Sequence, residues 1–466
     1  MATSSRFLPD TRTVWRWHFY AGLFCVPFVL WLSVTGSIYL FKPQLESWLD
    51  RPYDGLVRAG ETPAPPETQV KAALAAVPGS NLSYFELPRT EGGASQIVVG
   101  KGADEFRVYV HPVTAQALYT VNDRSRPLRR IFYLHGELLS GDKGSMLVEM
   151  AGCWTIVLIL TGLVLWWPRN ATSLAGVLYP RFHLSGRLWW RDIHSVTGAW
   201  VSLFVMILLL TGLPWAKSWG NYFKKVRSTA AGMTITQDWP TGSSSEREAT
   251  AARNAAQAEA ASGGHQHAEA APSRFRRRGV QPPPAPDAYR AINTIFPAAK
   301  QLSLAYPVQI VPPVKKGGSW FVRSDSQNRM LRDNYTLDPT SGSVLAREGF
   351  SERPWVDRVV SLGISYHEGQ LLGYLNQAIG LFTAFGAATL ALSSVVMWWR
   401  RRPVGVLGAP VALGERAFSP ILAAFVVVLA AAFPMLGVSI AGLAILEWVL
   451  LRRIPGVRTW LGLQPA

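Results

Sequence analysis

Four of the eight histidines in this 466-residue chain recur in matched registers. His18 is followed by Gly22 and then by Thr35-Gly36, and His194 by Gly198 and then Thr211-Gly212, each 176 positions later. His135, after Leu134, stands 31 residues before Trp166-Trp167, and His367, after Tyr366, stands 31 residues before Trp398-Trp399. A neutral imidazole carries one nitrogen lone pair that can bind a metal. Two facing imidazoles can supply both axial ligands of a haem, in a site built between the helices of a bundle. Gly22 and Gly198, one turn after the first pair, would leave room for a flat macrocycle. Two other readings stay open on spacing alone. Imidazole also suits zinc or copper, although no Asp, Glu or Cys stands within a turn of His18 or His194 except Asp192. Any one His beside Trp and Arg can also be a plain interfacial residue.

The elements that must position these residues are membrane spans. A bilayer core takes about 20 apolar residues per helix, and four runs supply them: His18 to Phe41, Met146 to Trp167, Ser195 to Ala216 and Leu371 to Trp399. The first follows Arg6, Arg12 and Arg16, but its apolar run is too long for a signal peptide and ends in Phe41-Lys42-Pro43 without small residues for cleavage, so it is expected to be retained. A further block from Ala417 to Leu451 is too long for one span and holds Pro434 near its middle. It is expected to form two short helices turning at Pro434 to Gly437, six spans in all. The expected fold class is a multi-pass α-helical membrane protein with two small α+β modules outside the bilayer.

Charge sets the expected orientation. Arg169, Arg181, Arg187 and Arg191 lie between spans two and three, Arg400 to Arg402 follow span four, and the N-terminus is basic. The positive-inside rule puts these, and both termini, in the cytoplasm of a bacterial inner membrane. The expected order is then span one over 12–42, an outer module over 43–130, and an outer His segment with span two over 131–168. A cytoplasmic loop over 169–190 and span three over 191–216 follow. A second outer module takes 217–358, another His segment with span four takes 359–402, and the C-terminal hairpin takes 416–452. Module one predicts a helix near Glu67 to Ala76 and strands at Gln96 to Val99 and Phe106 to His111. Module two predicts a helix over Pro286 to Phe296 and strands at Trp320 to Arg323 and Tyr335 to Asp338. The Ser, Ala, Gln, Pro and Arg-rich stretch at about 240–285 is expected to be a disordered insert. The chain therefore looks like two parallel copies of helix, module, helix. His18 and His194 fall at one membrane face, His135 and His367 at the other.

Composition agrees. Hydrophobic residues make up 49% and charged residues only 16%, against roughly 25% charged in a soluble domain. The net charge of +16 follows membrane topology, and nucleic acid is not an expected partner. Cys25 and Cys153 both lie in apolar runs, which excludes a thiolate metal or iron–sulfur centre. His265 and His267 fall in the low-complexity insert, His111 suits a turn, and His183 faces headgroups or solvent. Glu149 could relay protons or be an interfacial carboxylate without a role, and the paired tryptophans suit an aromatic belt.

Trp17-His18 with Gly22 and Thr35-Gly36, Leu134-His135 leading to Thr161-Gly162 and Trp166-Trp167, Trp190-Arg191-Asp192-Ile193-His194 with Gly198, and the outer helix-plus-hairpin modules together resemble the PepSY-associated transmembrane family. The resemblance covers about residues 12 to 403, and the final hairpin looks like the C-terminal extension of many members. The match is to an architecture with four histidines, since the family has no short catalytic motif. Two departures are visible: Trp17-His18-Phe19-Tyr20 stands where Leu-His-Arg-Trp-like residues are commoner, and Ser393-Ser394 stands where the other half has Thr161-Gly162. The family includes inner-membrane siderophore reductases with two b-type haems. The resemblance thus implies haem-iron axial ligands at His18, His194, His135 and His367, and an oxidoreductase that passes electrons from a cytoplasmic donor to a periplasmic ferric siderophore. No dinucleotide-binding glycine motif follows a strand, so a flavin or nicotinamide donor must be a separate protein. Two other function classes remain: a non-enzymatic membrane protein whose PepSY-like modules bind peptides or inhibit peptidases, and a metal permease. The spans show no ion path for the latter, offering little beyond Ser, Thr, Asn376, Gln377 and Glu149.

Overall fold

The computed structural model describes residues 10–169, 173–231, 239–262, 289–314, 317–410 and 420–463. In chain order the elements begin with α1 (Thr11–Tyr39), α2 (Lys42–Asp50), α3 (Pro66–Ala76), β1 (Asn81–Glu86), β2 (Ser95–Lys101), β3 (Asp104–Val110) and β4 (Ala117–Asn122). Next come α4 (Pro127–Glu137), α5 (Gly141–Trp166), α6 (Gly186–Gly212), α7 (Lys217–Ala231), α8 (Gly242–Ser262) and α9 (Ile292–Gln301). The last are β5 (Val308–Val311), β6 (Trp320–Ser324), β7 (Asn334–Leu337), β8 (Val344–Glu348), α10 (Trp355–His367), α11 (Tyr374–Arg401), α12 (Pro420–Ala432), α13 (Pro434–Leu446) and α14 (Pro455–Leu461). The chain divides into a helical unit, Met1–Leu40, Phe132–Gly242 and Leu372–Ala466, and a sheet-bearing unit, Phe41–Ile131 and Ser243–Leu371.

In the helical unit α1, α5, α6 and α11 pack side by side, with α1 against α5 and α11, and α6 against α11 and α5. Asp10 opens α1 as its N-cap, its carboxylate accepting from the amides of Arg12 at 2.8 Å and Thr13 at 3.1 Å. Proline sets most of the ends. Pro168, Pro403 and Pro434 each lie two residues beyond the last residue of α5, α11 and α12, because a proline pushes the residue before it out of the helical region, whereas α6 runs on through Pro214 as a tighter turn that ends at Trp215.

The span count needs correction. Among the described residues five helices are long and apolar enough to cross a membrane: Thr11–Tyr39, Gly141–Trp166, Gly186–Trp215, Tyr374–Arg401 and Pro434–Leu451. The expected break at Pro434 is present, but it leaves α12 with 13 described residues, about 20 Å of helix against a core of about 30 Å. Span three also starts earlier than expected, at Gly186, which shortens the loop before it. Residues 217–231 do not join the outer module as expected. They form α7, which packs in the helical unit on α5 and α13, with Trp219 Nε1 donating to the Ala432 carbonyl at 3.0 Å and Tyr222 to Ala431 at 3.1 Å.

The sheet-bearing unit corrects a second expectation. Instead of two separate modules it holds one antiparallel eight-stranded sheet in the order β4-β3-β2-β1-β5-β6-β7-β8. Two four-stranded meanders meet along β1 and β5, with Phe85 opposite Ile310 and Glu86 opposite Gln309. The physical reason is the edge. An unpaired strand presents a row of unsatisfied amides and carbonyls, and β1 and β5 satisfy each other. The expected strands all form, as does the first helix, while the second runs over Ile292–Gln301, later than expected. Helices α3 and α9 share one core with the sheet, built from Val70, Ala73, Leu82, Phe85, Ile97, Val99, Val108, Val110, Ile292, Ile295, Ile310, Val322 and Leu337. Full burial of such side chains contributes about 1.5–3 kcal/mol each.

The stretch expected to be disordered is helical in its first part. Over Gly242–Ser262, α8 is short of large apolar residues and docks by polar side chains instead. Asn254 Nδ2 donates to the Gly102 carbonyl at 3.0 Å, Gln257 Nε2 to Leu82 at 3.2 Å, and Arg253 to Ser83 Oγ at 3.1 Å and to Glu105. Gly100 makes this possible, since a Cβ there would collide with the Asn254 side chain. The rest of the insert, with His265 and His267, lies outside the described residues.

On β3, buried Arg107 donates to Glu86 at 2.9 Å, to Asp123 at 2.9 Å, to Gln96 and to Tyr84 at 3.1 Å. Burial alone would raise the Asp123 carboxyl, but Arg107, Arg126 and Arg129 hold it well below the usual carboxylate range. Removing a partner from a buried ion pair costs about 3–5 kcal/mol because the other charge is left without compensation. Arg107→Met should therefore destabilise the sheet-bearing unit by about that much in thermal unfolding. A depressed carboxyl lends stability at pH values above its unfolded pKa, near 4, and loses it as pH falls further. Unfolding of the native protein followed from pH 6 to pH 3 should show that loss, and Arg107→Met should show much less of it. Gly100→Ala should expose α8 to limited proteolysis while leaving the helical unit intact.

Candidate haem-ligand histidines

His18 lies in the N-terminal third of α1 and His194 near the start of α6, and the bundle brings them together. Their ring centres are 6.2 Å apart with the ring planes at 88°. The C-terminal parts of α5 and α11 meet them at the same level. His18 Nδ1 lies 3.0 Å from Thr161 Oγ1. His194 Nδ1 lies 3.1 Å from Ser393 Oγ and 3.1 Å from the Leu390 carbonyl. A second histidine is held the same way at the other end of α1, where His135 Nδ1 lies 2.8 Å from Thr35 Oγ1. From His18 to Thr35 along α1 is about 25 Å at 1.5 Å per residue, close to the thickness of the bilayer core. Trp31 Nε1 also donates to the Leu134 carbonyl at 3.1 Å and fastens α4 beside α1. His367, the last residue of α10, is partly buried in the sheet-bearing unit.

The hydroxyls fix the tautomer of these rings. Thr161 donates to the Val157 carbonyl at 2.6 Å and Thr35 to Trp31 at 2.8 Å, both one turn back in their own helices. A hydroxyl has one proton, so each can only accept from the imidazole. His18 and His135 must then carry Nδ1–H. For His194 the conclusion is direct, because the Leu390 carbonyl can only accept. Each Nε2 is thereby the nitrogen with a lone pair, the form that ligates a metal. The Thr-Gly dipeptides were visible in the sequence as register marks, but nothing there tied them to a histidine on another helix.

The glycines divide into two kinds. A Cβ at Gly162 would lie 3.2 Å from His18 Cε1, and one at Gly36 would lie 3.2 Å from His135 Cε1, so both imidazoles rest against bare backbone. At Gly22 and Gly198 a Cβ would meet Leu158 at 3.7 Å and Leu390 at 3.5 Å, ordinary contact that the helix packing alone would tolerate.

Other candidates fall into structural roles. Glu149 is buried within the protein: its Oε2 accepts from the amides of Ser218 at 3.0 Å and Trp219 at 3.1 Å and caps the first turn of α7. Asp192 is fully buried and gripped by Arg181 at 2.7 and 2.8 Å. His111 Nδ1 accepts from the amides of Val113 and Thr114 and closes a turn, and His183 is exposed. Trp166 and Trp398 donate to the Val177 and Leu407 carbonyls, while Trp167 and Trp399 stand exposed at the helix ends, where belt residues belong. Both cysteines are buried and free. Among the described residues no three or more His, Cys, Asp or Glu side chains gather where they could hold an ion, so the four-ligand set of a structural zinc site is not assembled there.

No curated protein matches this sequence. Residues 15–401, the stretch that contains all four histidines, match the PepSY-associated TM region, and the chain is a multi-pass membrane protein belonging to that family.

Proposed function

We propose that this protein carries electrons across a bacterial inner membrane through two b-type haems, from a cytoplasmic donor to a periplasmic ferric siderophore. The observation that carries the reading is the His18–His194 pair. A metal–nitrogen bond of about 2.0–2.1 Å and roughly 1.1 Å from Nε2 to the ring centre, counted on both sides, separate two imidazoles sharing one metal by about 6.3 Å. The observed centres are 6.2 Å apart. The donor set also fits: both Nδ1 atoms are engaged within the protein, so Nε2 of each ring is the nitrogen that would bind a haem iron.

In this reading His18 and His194 would hold one haem, and the matched sequence register assigns His135 and His367 to the other. Bound there, the haems would supply reversible one-electron iron chemistry, which belongs to the cofactor. The chain's own part is to hold each imidazole in the ligating tautomer and to bury it among apolar helices. It sets the two levels at opposite ends of the bundle, in line with the internal duplication of the sequence. Both termini are assigned to the cytoplasm, where a separate flavin reductase or similar protein would be the donor. A ferric siderophore suits the periplasmic acceptor because one electron yields Fe(II), which hard oxygen chelators hold more weakly.

The test is an absorbance spectrum of the detergent-purified protein, oxidised and then reduced with dithionite, with haem quantified per chain. The native protein should show a b-type spectrum at about two haems per chain. His194→Ala, checked for helical content, should retain about one, and so should His367→Ala. A folded but colourless native protein would overturn the proposal and favour a peptide-binding membrane protein.

A further inference from the structure

The same arrangement occurs twice, at two levels of the bundle. In Thr161-Gly162 and Thr35-Gly36 a hydroxyl takes an imidazole Nδ1, at 3.0 and 2.8 Å, and the following glycine lets Cε1 of that ring lie where a Cβ would be 3.2 Å away. In both, the hydroxyl proton is already donated to a carbonyl of its own helix. Back-bonding of this kind bends or weakens a helix slightly, and it does nothing for the helix that valine would not do better. What it yields is an acceptor of fixed direction within hydrocarbon, where an imidazole N–H has no water to turn to.

We infer that the Thr-Gly dipeptide is a histidine cradle, and that Thr161 and Thr35 are positioning residues which lock His18 and His135 as Nδ1–H tautomers and lower the reduction potential of the iron each ligates. The inference rests on the haem reading above. An Nδ1–H that donates to a neighbour makes the ring a more basic ligand and favours Fe(III) over Fe(II). His194 is held by Ser393 and the Leu390 carbonyl, so the hydroxyl half of the device recurs there, while Ser394 replaces the glycine and the ring has no bare backbone of that kind against it. The cradles are therefore unequal across one pair, with Gly162 beside the His18 ring and Ser394 at the matching position of the other half.

The test is a redox titration of the haem-loaded, detergent-purified protein followed by absorbance, with electron paramagnetic resonance of the oxidised form. Thr161→Val keeps the side-chain shape and removes the hydroxyl acceptor. It should shift the equilibrium of one haem about tenfold toward Fe(II), which is about 59 mV upward for one electron, and leave the other haem unchanged. Thr161→Ser, the residue type the chain uses at 393, should restore the native potential. Thr35→Val should move the other haem alone. Gly162→Ala should leave haem content intact and alter the low-spin signal of the first haem, because His18 must give way by a few tenths of an ångström. Loss of one haem in a valine variant with retention in its serine counterpart would also support the cradle. Unchanged potentials in both valine variants at full haem loading would overturn it and leave the haem reading standing. Absence of haem from the native protein would overturn both.

Discussion

A polar group inside hydrocarbon has no water to fall back on and must find its partner within the protein. Five helices here carry imidazoles or the groups that satisfy them, and that requirement orders the bundle. His18 on α1 is answered from α5, His194 on α6 from α11, and His135 on α4 from α1. Each bond joins segments at least 100 residues apart in the chain. Slide one helix by a turn and an imidazole N–H loses the hydroxyl that accepts from it, at a cost of several kcal/mol in lipid. The apolar surfaces of the spans specify no such register, because they face lipid about as readily as one another. Polar pairing supplies the specificity and the close packing follows it.

Much of this was legible in the sequence, for physical reasons that can be named. The spans follow from unbroken apolar runs, and their ends from prolines that act on the next residue back. The four histidines stand out because their distance to glycine, threonine and tryptophan landmarks repeats. What could not be read were contacts made by residues of unremarkable type. Thr161 and Ser393 are common span residues, and only the folded bundle places them on Nδ1 of a ring. In sequence Ser393 departs from the Thr-Gly pattern, whereas in the structure the hydroxyls of Thr161 and Ser393 perform the same service.

The misread segments share a cause. α8 has an Ala, Gln, Ser and Glu composition with no apolar stripe, so hydropathy assigns it to no core. It is nevertheless held to the sheet by Asn254, Gln257 and Arg253. α7 looks like the start of an outer module because it is polar, yet buried Glu149 caps it and Trp219 and Tyr222 fasten it to the helical unit. In both, individual hydrogen bonds outweigh average composition. The union of the two meanders was hidden for another reason, since nothing local marks which edge of a sheet is to be covered.

That shared sheet has a consequence for how the chain is made. β1 is synthesised before spans two and three, whereas its partner β5 follows them, roughly 220 residues later. At about 5–20 residues per second the ribosome takes on the order of ten to forty seconds to cover that distance. Throughout it the β1 edge has no β5 to pair with, while two more spans are being inserted. A nascent chain stalled in this interval would present an open strand to any extended peptide nearby, so faithful assembly depends on translation and membrane insertion keeping pace with each other.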